Sequence, residues 1–267
     1  MLDAVKVLTV PGLAAMKRRN EKIVALTAYD ASFARIVDDA GVDLVLVGDS
    51  LGMVVQGQQT TLPTTLDDMV YHTRSVARGI RRAVLAADMP FVSYSCPARA
   101  IDSAARLIRA GACMVKIEGG RKRVEIVRAL VDQDIPVCGH LGLLPQSVHQ
   151  IGGYLVQGKD ERAAQTILED AMILQEAGAG LLVLECVPAT LAGEITAALD
   201  IPTIGIGAGP DCDGQILVLY DMLGITPGKR PKFSRNFLQG VGDIPSAIRN
   251  YADDVKAGRF PASEHSF

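Results

Sequence analysis

The repeating order of short apolar runs and helix-length segments constrains this chain more than any other feature. Each run is nearly continuous in aliphatic residues, ends at a Gly, Asp, Glu or Pro, and is followed by a segment with apolar residues at i, i+3 and i+4. Continuous rather than alternating apolar runs are typical of parallel strands that are buried on both faces. The pattern predicts seven strands: IVALTAYD, VDLVLVGDS, AVLAADMP, ACMVKIEGG, IPVCGHLGL, GLLVLECVP and IPTIGIGAG.

This alternation predicts an α/β fold. At 267 residues we expect a (β/α)8 barrel, although an open doubly wound sheet has the same local pattern. An eighth strand could lie in 215–223, QILVLYDML, whose apolar positions also fit a helix, and the preceding connection is short for a crossover of about 10–12 residues. No linker divides the chain. We expect one domain, 1–267, with an N-terminal helix within 1–21 and a wrapping tail over 224–267.

Composition narrows the possible partners and location. The chain is 49% apolar with a mean hydropathy of +0.23, which is typical of a globular protein. The chain has 27 Lys and Arg residues against 30 Asp and Glu residues and contains no basic run, which argues against nucleic-acid binding. No apolar run approaches the ~18 residues of a membrane span. The five scattered cysteines lack metal-site spacing. We therefore expect a cytoplasmic protein with reduced thiols and with neither nucleic-acid nor membrane partners.

Carboxylates end several of the predicted strands. They are Asp49, Asp88, Glu118 and Glu185. In a barrel they would converge at the carboxyl-terminal rim, where barrel active sites are built. Carboxylates facing one cavity repel each other unless a cation intervenes, and such oxygen ligands suit Mg²⁺ or Mn²⁺ better than zinc, so we predict a divalent metal site. The alternative is helix capping, which we expect at Asp30; Ser50 could likewise cap a helix and leave Asp49 free.

Two strand residues could carry chemistry besides the carboxylates. Lys116 lies two residues before Glu118, so both side chains point the same way. Lys116 could neutralise a substrate carboxylate, form a Schiff base, or pair with a carboxylate for structure alone. His140 could be a ligand, a proton carrier or a hydrogen-bonded core residue. The glycines of 204–210 could offer backbone N–H groups to a phosphate or simply permit close packing.

Two predicted strand-to-helix connections are much longer than the usual ~2–6 residues. They are LGMVVQGQQTTLPTT after the second strand and GLLPQSVHQIGGYLVQGKDE after the fifth. Both would lie at the carboxyl-terminal rim, so we expect them to border the site.

The motifs TAYD, VGDSLGMVVQG, TLPTTLDDMVYH, AADMPF, GACMVKIEGG, VCGHLGLLPQSV, GGYLVQG, LLVLECVP, IGIGAG and DGQILVLYDMLG occur in this order. They resemble the ketopantoate hydroxymethyltransferase family from about Thr27 to Phe267. The resemblance implies a (β/α)8 barrel of the phosphoenolpyruvate/pyruvate type that is cytoplasmic and homodecameric. It also implies dependence on Mg²⁺, with other divalent ions possible.

The activity implied by the resemblance is transfer of a hydroxymethyl group from 5,10-methylenetetrahydrofolate to 3-methyl-2-oxobutanoate. The product would be ketopantoate, on the route to pantothenate and coenzyme A, by way of a Mg²⁺-stabilised enolate. Two other functions stay open on the residues alone. One is a Mg²⁺-dependent 2-oxo acid C–C lyase or aldolase, and the other is a non-catalytic metabolite-binding barrel that uses the glycines of 204–210.

Site roles also follow from the resemblance, position by position. It implies a metal site formed by Asp49 and Asp88 with Glu118 nearby. It further implies a catalytic base at Glu185 and contacts to the keto acid from Asp49, Ser50, Asp88 and Lys116. The matching motifs carry every one of these positions without a departure.

Overall fold

The computed structural model describes residues 7–228 and 230–267. Eight parallel strands form a closed barrel in sequence order, with β1 paired to β8. The strands are β1 Ile23–Thr27, β2 Leu44–Val47, β3 Val84–Asp88, β4 Met114–Glu118, β5 Val137–Gly142, β6 Leu181–Glu185, β7 Thr203–Ile206 and β8 Gly214–Leu217. The α-helices are α1 Val10–Arg18, α2 Ala31–Asp39, α3 Leu51–Val54, α4 Leu66–Ala77, α5 Pro97–Arg109, α6 Val124–Val131, α7 Val148–Ile151, α8 Glu161–Glu176, α9 Ala189–Ala198, α10 Leu219–Leu223 and α11 Ile244–Lys256.

The closed barrel confirms the predicted fold class, and each of the seven apolar runs contains one strand. The segment 215–223 contains both of the structures that its apolar pattern allowed. Its first half belongs to β8, which pairs with β1, whereas its second half forms α10 and buries Leu219, Met222 and Leu223.

The connection between β7 and β8 is short and contains no helix. Residues 207–213 cover the whole distance, and Gly207 and Gly209 adopt φ values of +61° and +80° there. A Cβ at Gly207 would lie 3.0 Å from the rings of Phe233 and Phe267, and one at Gly209 would lie 2.5 Å from Ala189. Close packing therefore explains these glycines.

The longer helices bury one face against the barrel, and some of them begin at a side-chain cap. In α5 the buried residues are Ala100, Ser103, Ala104 and Leu107, which lie three or four positions apart. Helix α2 begins at Asp30, whose side chain accepts hydrogen bonds from the backbone of Ser32 and Phe33. This confirms the predicted N-cap.

Segments before and after the alternation pack on the barrel. Helix α1 lies within 1–21, of which residues 1–6 are outside the described part. In α1, Lys17 Nζ lies 2.8 Å from Oδ2 of Asp213, the residue just before β8. In the tail, the Tyr251 hydroxyl on α11 lies 2.9 Å and 3.1 Å from the carbonyl oxygens of Ala25 and Gln215. Helix α11 therefore covers β1 and β8, which supports our proposal that the chain is one domain.

Candidate active site

A cavity of about 110 Å³ lies at the carboxyl ends of the strands. Its wall includes every residue to which the sequence assigned a site role, together with His140. The residues that carry the chemistry are Asp49, Ser50, Asp88, Lys116, Glu118, His140 and Glu185, and the mouth includes Met53, Pro145 and Tyr154. The structure thus brings the predicted residues together.

Strand register explains which of these side chains meet. Asp88 on β3 is paired in register with Lys116 on β4, and Glu118 at the end of β4 is paired with His140 on β5. Side chains at paired positions on one face of a sheet are near neighbours. Asp88 and Glu118 therefore each have a cationic or potentially cationic neighbour on the next strand.

The first pair is a buried ion pair. Lys116 Nζ lies 2.6 Å from Asp88 Oδ1, and the two residues are 5% and 3% exposed. Burial lowers the pKa of Lys116, but the carboxylates of Asp88 and Glu118 outweigh it and raise that pKa above its usual range. Lys116 is therefore an ammonium ion at neutral pH. Because Schiff-base formation needs a neutral amine, this favours the charge-partner role over the Schiff-base role.

His140 lies between two carboxylates. Its Nδ1 is 3.5 Å from Glu118 Oε1, and its Nε2 is 3.2 Å from Glu185 Oε2. Burial and the Lys116 ammonium lower the pKa of His140, but its contacts with Glu118 and Glu185 outweigh them and raise it to about 9. A histidine side chain that lies between two carboxylates in this way can orient both of them. It also places Glu185 at the cavity wall, where that residue has more solvent access than Glu118.

Gln146 is a site residue that the sequence did not single out. Its side-chain amide donates hydrogen bonds to Asp49 Oδ2 at 2.8 Å and to the Met89 carbonyl at 3.0 Å, and its Oε1 accepts one from the Tyr94 hydroxyl at 2.5 Å. Its backbone N–H donates to Glu118 Oε2 at 3.0 Å. Gln146 therefore fixes two of the acidic side chains. The sequence feature that could have identified Gln146 is its place in the long connection after β5.

Ser50 and His72 both contact Tyr29. Ser50 lies at the start of α3 without a side-chain capping bond, and its Oγ is 2.9 Å from the Tyr29 hydroxyl. The suggestion that Ser50 caps the helix is therefore wrong, because the hydroxyl bonds Tyr29 instead. His72 Nδ1 lies 2.7 Å from the Tyr29 carbonyl, which fixes a residue that neighbours the cavity.

The mouth of the cavity is formed by the two long connections. Tyr154, from the connection after β5, places its hydroxyl 3.6 Å from Met53 Sδ, from the connection after β2. Burial raises the pKa of Tyr154, and the negative charges of Glu185, Asp49 and Glu118 raise it further. The Tyr154 hydroxyl is thus within the field of the acidic side chains.

The acidic residues fit a hard divalent cation. Burial, and next the carboxylates of Asp88 and Glu118, raise the pKa of Asp49 well above its usual range. A cation bound beside Asp49 would lower that pKa again. The Asp49 backbone N–H donates to Asp88 Oδ2 at 3.0 Å, so the two residues are adjacent. Within the described residues, no group of three or more His, Cys, Asp or Glu side chains is already arranged to hold a metal ion. Mg²⁺ commonly takes only one or two carboxylates and keeps water or substrate oxygens.

No helix in the described ranges is both long and apolar enough to cross a membrane.

Solved structures with this fold include 2,3-dimethylmalate lyase, described as a member of the PEP mutase/isocitrate lyase superfamily. It has a TM-score of 0.58 at 19% identity and covers 82% of this chain and 83% of its own. Phosphonopyruvate hydrolase is similar, with a TM-score of 0.63 at 12% identity over 82% of this chain and 84% of its own. At these identities the likeness concerns the fold, and it agrees with the predicted barrel type.

Relatives in sequence cover nearly the whole chain. A protein of Nitrosococcus oceani named 3-methyl-2-oxobutanoate hydroxymethyltransferase is 62% identical over 97% of this chain and 99% of its own. A protein of the same name from Methylococcus capsulatus is 58% identical over 97% and 96%. The family model described as Ketopantoate hydroxymethyltransferase matches residues 7–263. The chain therefore belongs to the ketopantoate hydroxymethyltransferase family.

Proposed function

We propose that the protein transfers a hydroxymethyl group from 5,10-methylenetetrahydrofolate to 3-methyl-2-oxobutanoate. The net reaction consumes one water and gives ketopantoate and tetrahydrofolate, a step toward pantothenate and coenzyme A. Family membership and the names of the relatives support this activity. The observation that carries it is the cavity itself, which sets the Asp49, Asp88 and Lys116 group and the Glu185 carboxylate around one small space.

Substrate binding uses the charged wall of the cavity. Lys116 supplies a buried positive charge for the keto-acid carboxylate, and Asp88 holds its ammonium at 2.6 Å. Ser50 supplies a hydroxyl that Tyr29 orients. The cavity volume of about 110 Å³ is consistent with a small acid as the occupant.

Asp49 and Asp88 are the residues that would hold the divalent ion, with Mg²⁺ as the first choice for their oxygen donors. When bound, the ion supplies Lewis acidity toward the oxygens of the 2-oxo acid, which makes the neighbouring C–H bond more acidic. Glu118 is already engaged by the Gln146 backbone and by His140. Its direct ligation of the metal stays a prediction, and its charge still adds to the acidic field around Asp49.

Glu185 is the proposed base. Its Oε2 contacts His140 at 3.2 Å, which holds the carboxylate at the cavity wall and leaves Oε1 for the substrate. Glu185 takes the proton from C3 of the keto acid, and the electron pair of that C–H bond forms the new bond to the one-carbon unit. That carbon exchanges its two bonds to the folate nitrogens for the new C–C bond and a bond to the oxygen of water. The C3 proton and one water proton end on the two nitrogens of the departing tetrahydrofolate. A positioned base of this kind contributes about 10²–10⁴-fold to rate. Lys116 remains an ammonium throughout and forms no covalent bond to the substrate.

Proton NMR of 3-methyl-2-oxobutanoate in D₂O tests this assignment. With Mg²⁺ and without folate, we expect exchange of the C3 proton, and EDTA should abolish it. Adding methylenetetrahydrofolate should convert the substrate to ketopantoate.

Exchange that is indifferent to folate, with cleavage of a larger 2-oxo acid instead, would favour the lyase alternative. A protein that binds the acid but shows neither exchange nor transfer would favour the non-catalytic alternative.

The expected assembly and location are proposals on the same basis. The family resemblance supports a cytoplasmic homo-oligomer, with a decamer as the expected size. Analytical ultracentrifugation of the purified protein measures that size directly, and a monomer at working concentration would contradict it.

A further inference from the structure

The size of the cavity restricts where a second substrate can lie. Its volume of about 110 Å³ is small beside the roughly 300–1,000 Å³ of pockets that enclose drug-sized ligands. A small 2-oxo acid fills such a space. A folate, with fused rings, a benzoyl group and a glutamate, must therefore lie across the mouth and bring only its one-carbon unit inside.

The mouth presents one aromatic ring. Tyr154 lines the cavity and yet is 51% exposed, so part of its ring contacts the cavity wall while the rest is open to solvent. Its described hydrogen bond goes to the Met53 thioether at 3.6 Å, which is a weak acceptor. Leu155 beside it is similarly exposed, at 53%, but does not line the cavity. The described part of the chain thus leaves an apolar aromatic surface open at the entrance of the site.

The backbone places this ring close to the proposed base. Gly152 and Gly153, with φ values of +84° and +131°, turn the chain after α7 and have open space around their Cα atoms. Beyond Tyr154, the Gln157 backbone N–H donates to the Cys186 carbonyl at 2.9 Å, and Cys186 directly follows Glu185. The connection is therefore held next to Glu185 beyond Tyr154, and the two glycines turn the chain just before it.

We propose that Tyr154 is the platform on which the fused heteroaromatic ring of the folate stacks, with Met53 against its edge. This inference rests on the proposed function and adds to it the position of the second substrate. Flat heteroaromatic rings stack on a tyrosine face with favourable dispersion and quadrupole interactions, and a thioether packs well at a ring edge. A folate stacked there extends over the mouth, with its one-carbon unit toward the keto acid.

Calorimetric binding of tetrahydrofolate in the presence of Mg²⁺ and the keto acid tests the platform. Tyr154→Ala should raise the dissociation constant of tetrahydrofolate by roughly 2- to 13-fold, which corresponds to one lost aromatic stacking contact. Tyr154→Phe keeps the ring and should bind within about twofold of the unsubstituted protein, because the platform needs the ring rather than the hydroxyl. Leu155→Ala changes a neighbour of similar exposure that does not line the cavity, so it is the matched control.

Deuterium exchange at C3 without folate distinguishes a folate platform from a general loosening of the site. Tyr154→Ala should affect that exchange far less than it affects tetrahydrofolate binding. Equal loss of both, an effect of Tyr154→Phe as large as that of Tyr154→Ala, or unchanged folate binding in Tyr154→Ala would each overturn the platform. If the unsubstituted protein binds no tetrahydrofolate and consumes no methylenetetrahydrofolate, the proposed function fails, and the platform fails with it.

Discussion

Gln146→Met should weaken the binding of Mg²⁺ and of the keto acid without changing the backbone that surrounds the site. Methionine has nearly the length of glutamine, so no large cavity forms, and the backbone N–H bond to Glu118 is retained. The substitution removes the 2.8 Å bond to Asp49 and the bonds to Met89 and Tyr94. Gln146 is buried, so water does not easily replace these partners.

The expected loss of affinity follows from the hydrogen bond between Gln146 and the Asp49 carboxylate. A hydrogen bond to an ionised group contributes about 1.5–3 kcal/mol, and its loss corresponds to roughly 10- to 150-fold in affinity. The Tyr94 hydroxyl also loses its acceptor at the cost of about 1–3 kcal/mol of stability. For a chain of this size that lowers the melting temperature by about 2–4 °C per kcal/mol.

The assay is C3 proton exchange measured against Mg²⁺ concentration, with thermal unfolding followed by circular dichroism. Gln133→Met is the matched control, because Gln133 is exposed and bonds only the Asp132 carbonyl at 3.3 Å among its described side-chain contacts. If Gln146→Met kept the normal Mg²⁺ dependence of exchange, the claim that Gln146 positions Asp49 would be refuted.

Four further predictions concern single groups. Glu185→Gln should lower C3 exchange by about 10²–10⁴-fold while keto-acid affinity is nearly retained, and exchange at the normal rate would sink the base assignment. Asp49→Asn should raise the Mg²⁺ and keto-acid concentrations needed for half-maximal exchange together; unchanged values would remove Asp49 from the metal site. Borohydride reduction with substrate should leave no adduct on Lys116 by mass spectrometry, since a trapped adduct would show a Schiff base. Hydrogen bonds from the hydroxyl and the backbone N–H of Thr65 lower the pKa of Asp68, and burial opposes them only in part. The stability that the Asp68 carboxylate contributes is therefore present above its unfolded pKa and is lost as the pH falls through the lower folded pKa. Asp68→Asn should therefore cost up to about 0.5 kcal/mol at pH 7, because solvent screens this exposed group, and nothing near pH 2; an equal loss at both would contradict the linkage.

Local patterns were sufficient for much of the framework. The seven apolar runs, the cap at Asp30 and the carboxylates at strand ends could be identified from the sequence because they depend on backbone periodicity and on neighbours within a few residues. Since parallel strands of a closed barrel share one carboxyl-terminal rim, the convergence of these carboxylates followed from their positions. Asp88, Glu118 and Glu185 end their strands, and Asp49 follows β2 by two residues.

Local patterns could not predict which side chains contact one another at the rim. The sequence left Lys116 with several possible partners, and register decided that it meets Asp88 while His140 meets Glu118 and Glu185. Periodicity also could not divide 215–223 into a strand and a helix, because its apolar residues satisfy both patterns.

The sequence by itself determined the alternation of strands and helices and the acidic residues at the strand ends, whereas closure into a barrel is seen in the structure. Only the tertiary structure decided that Gln146 fixes Asp49 and that Tyr154 stands against Met53 at the mouth. These contacts join connections far apart in the chain, so they arise only when the closed barrel brings its loops together. Their geometry depends on the length and turns of both connections, which no local pattern of side chains encodes.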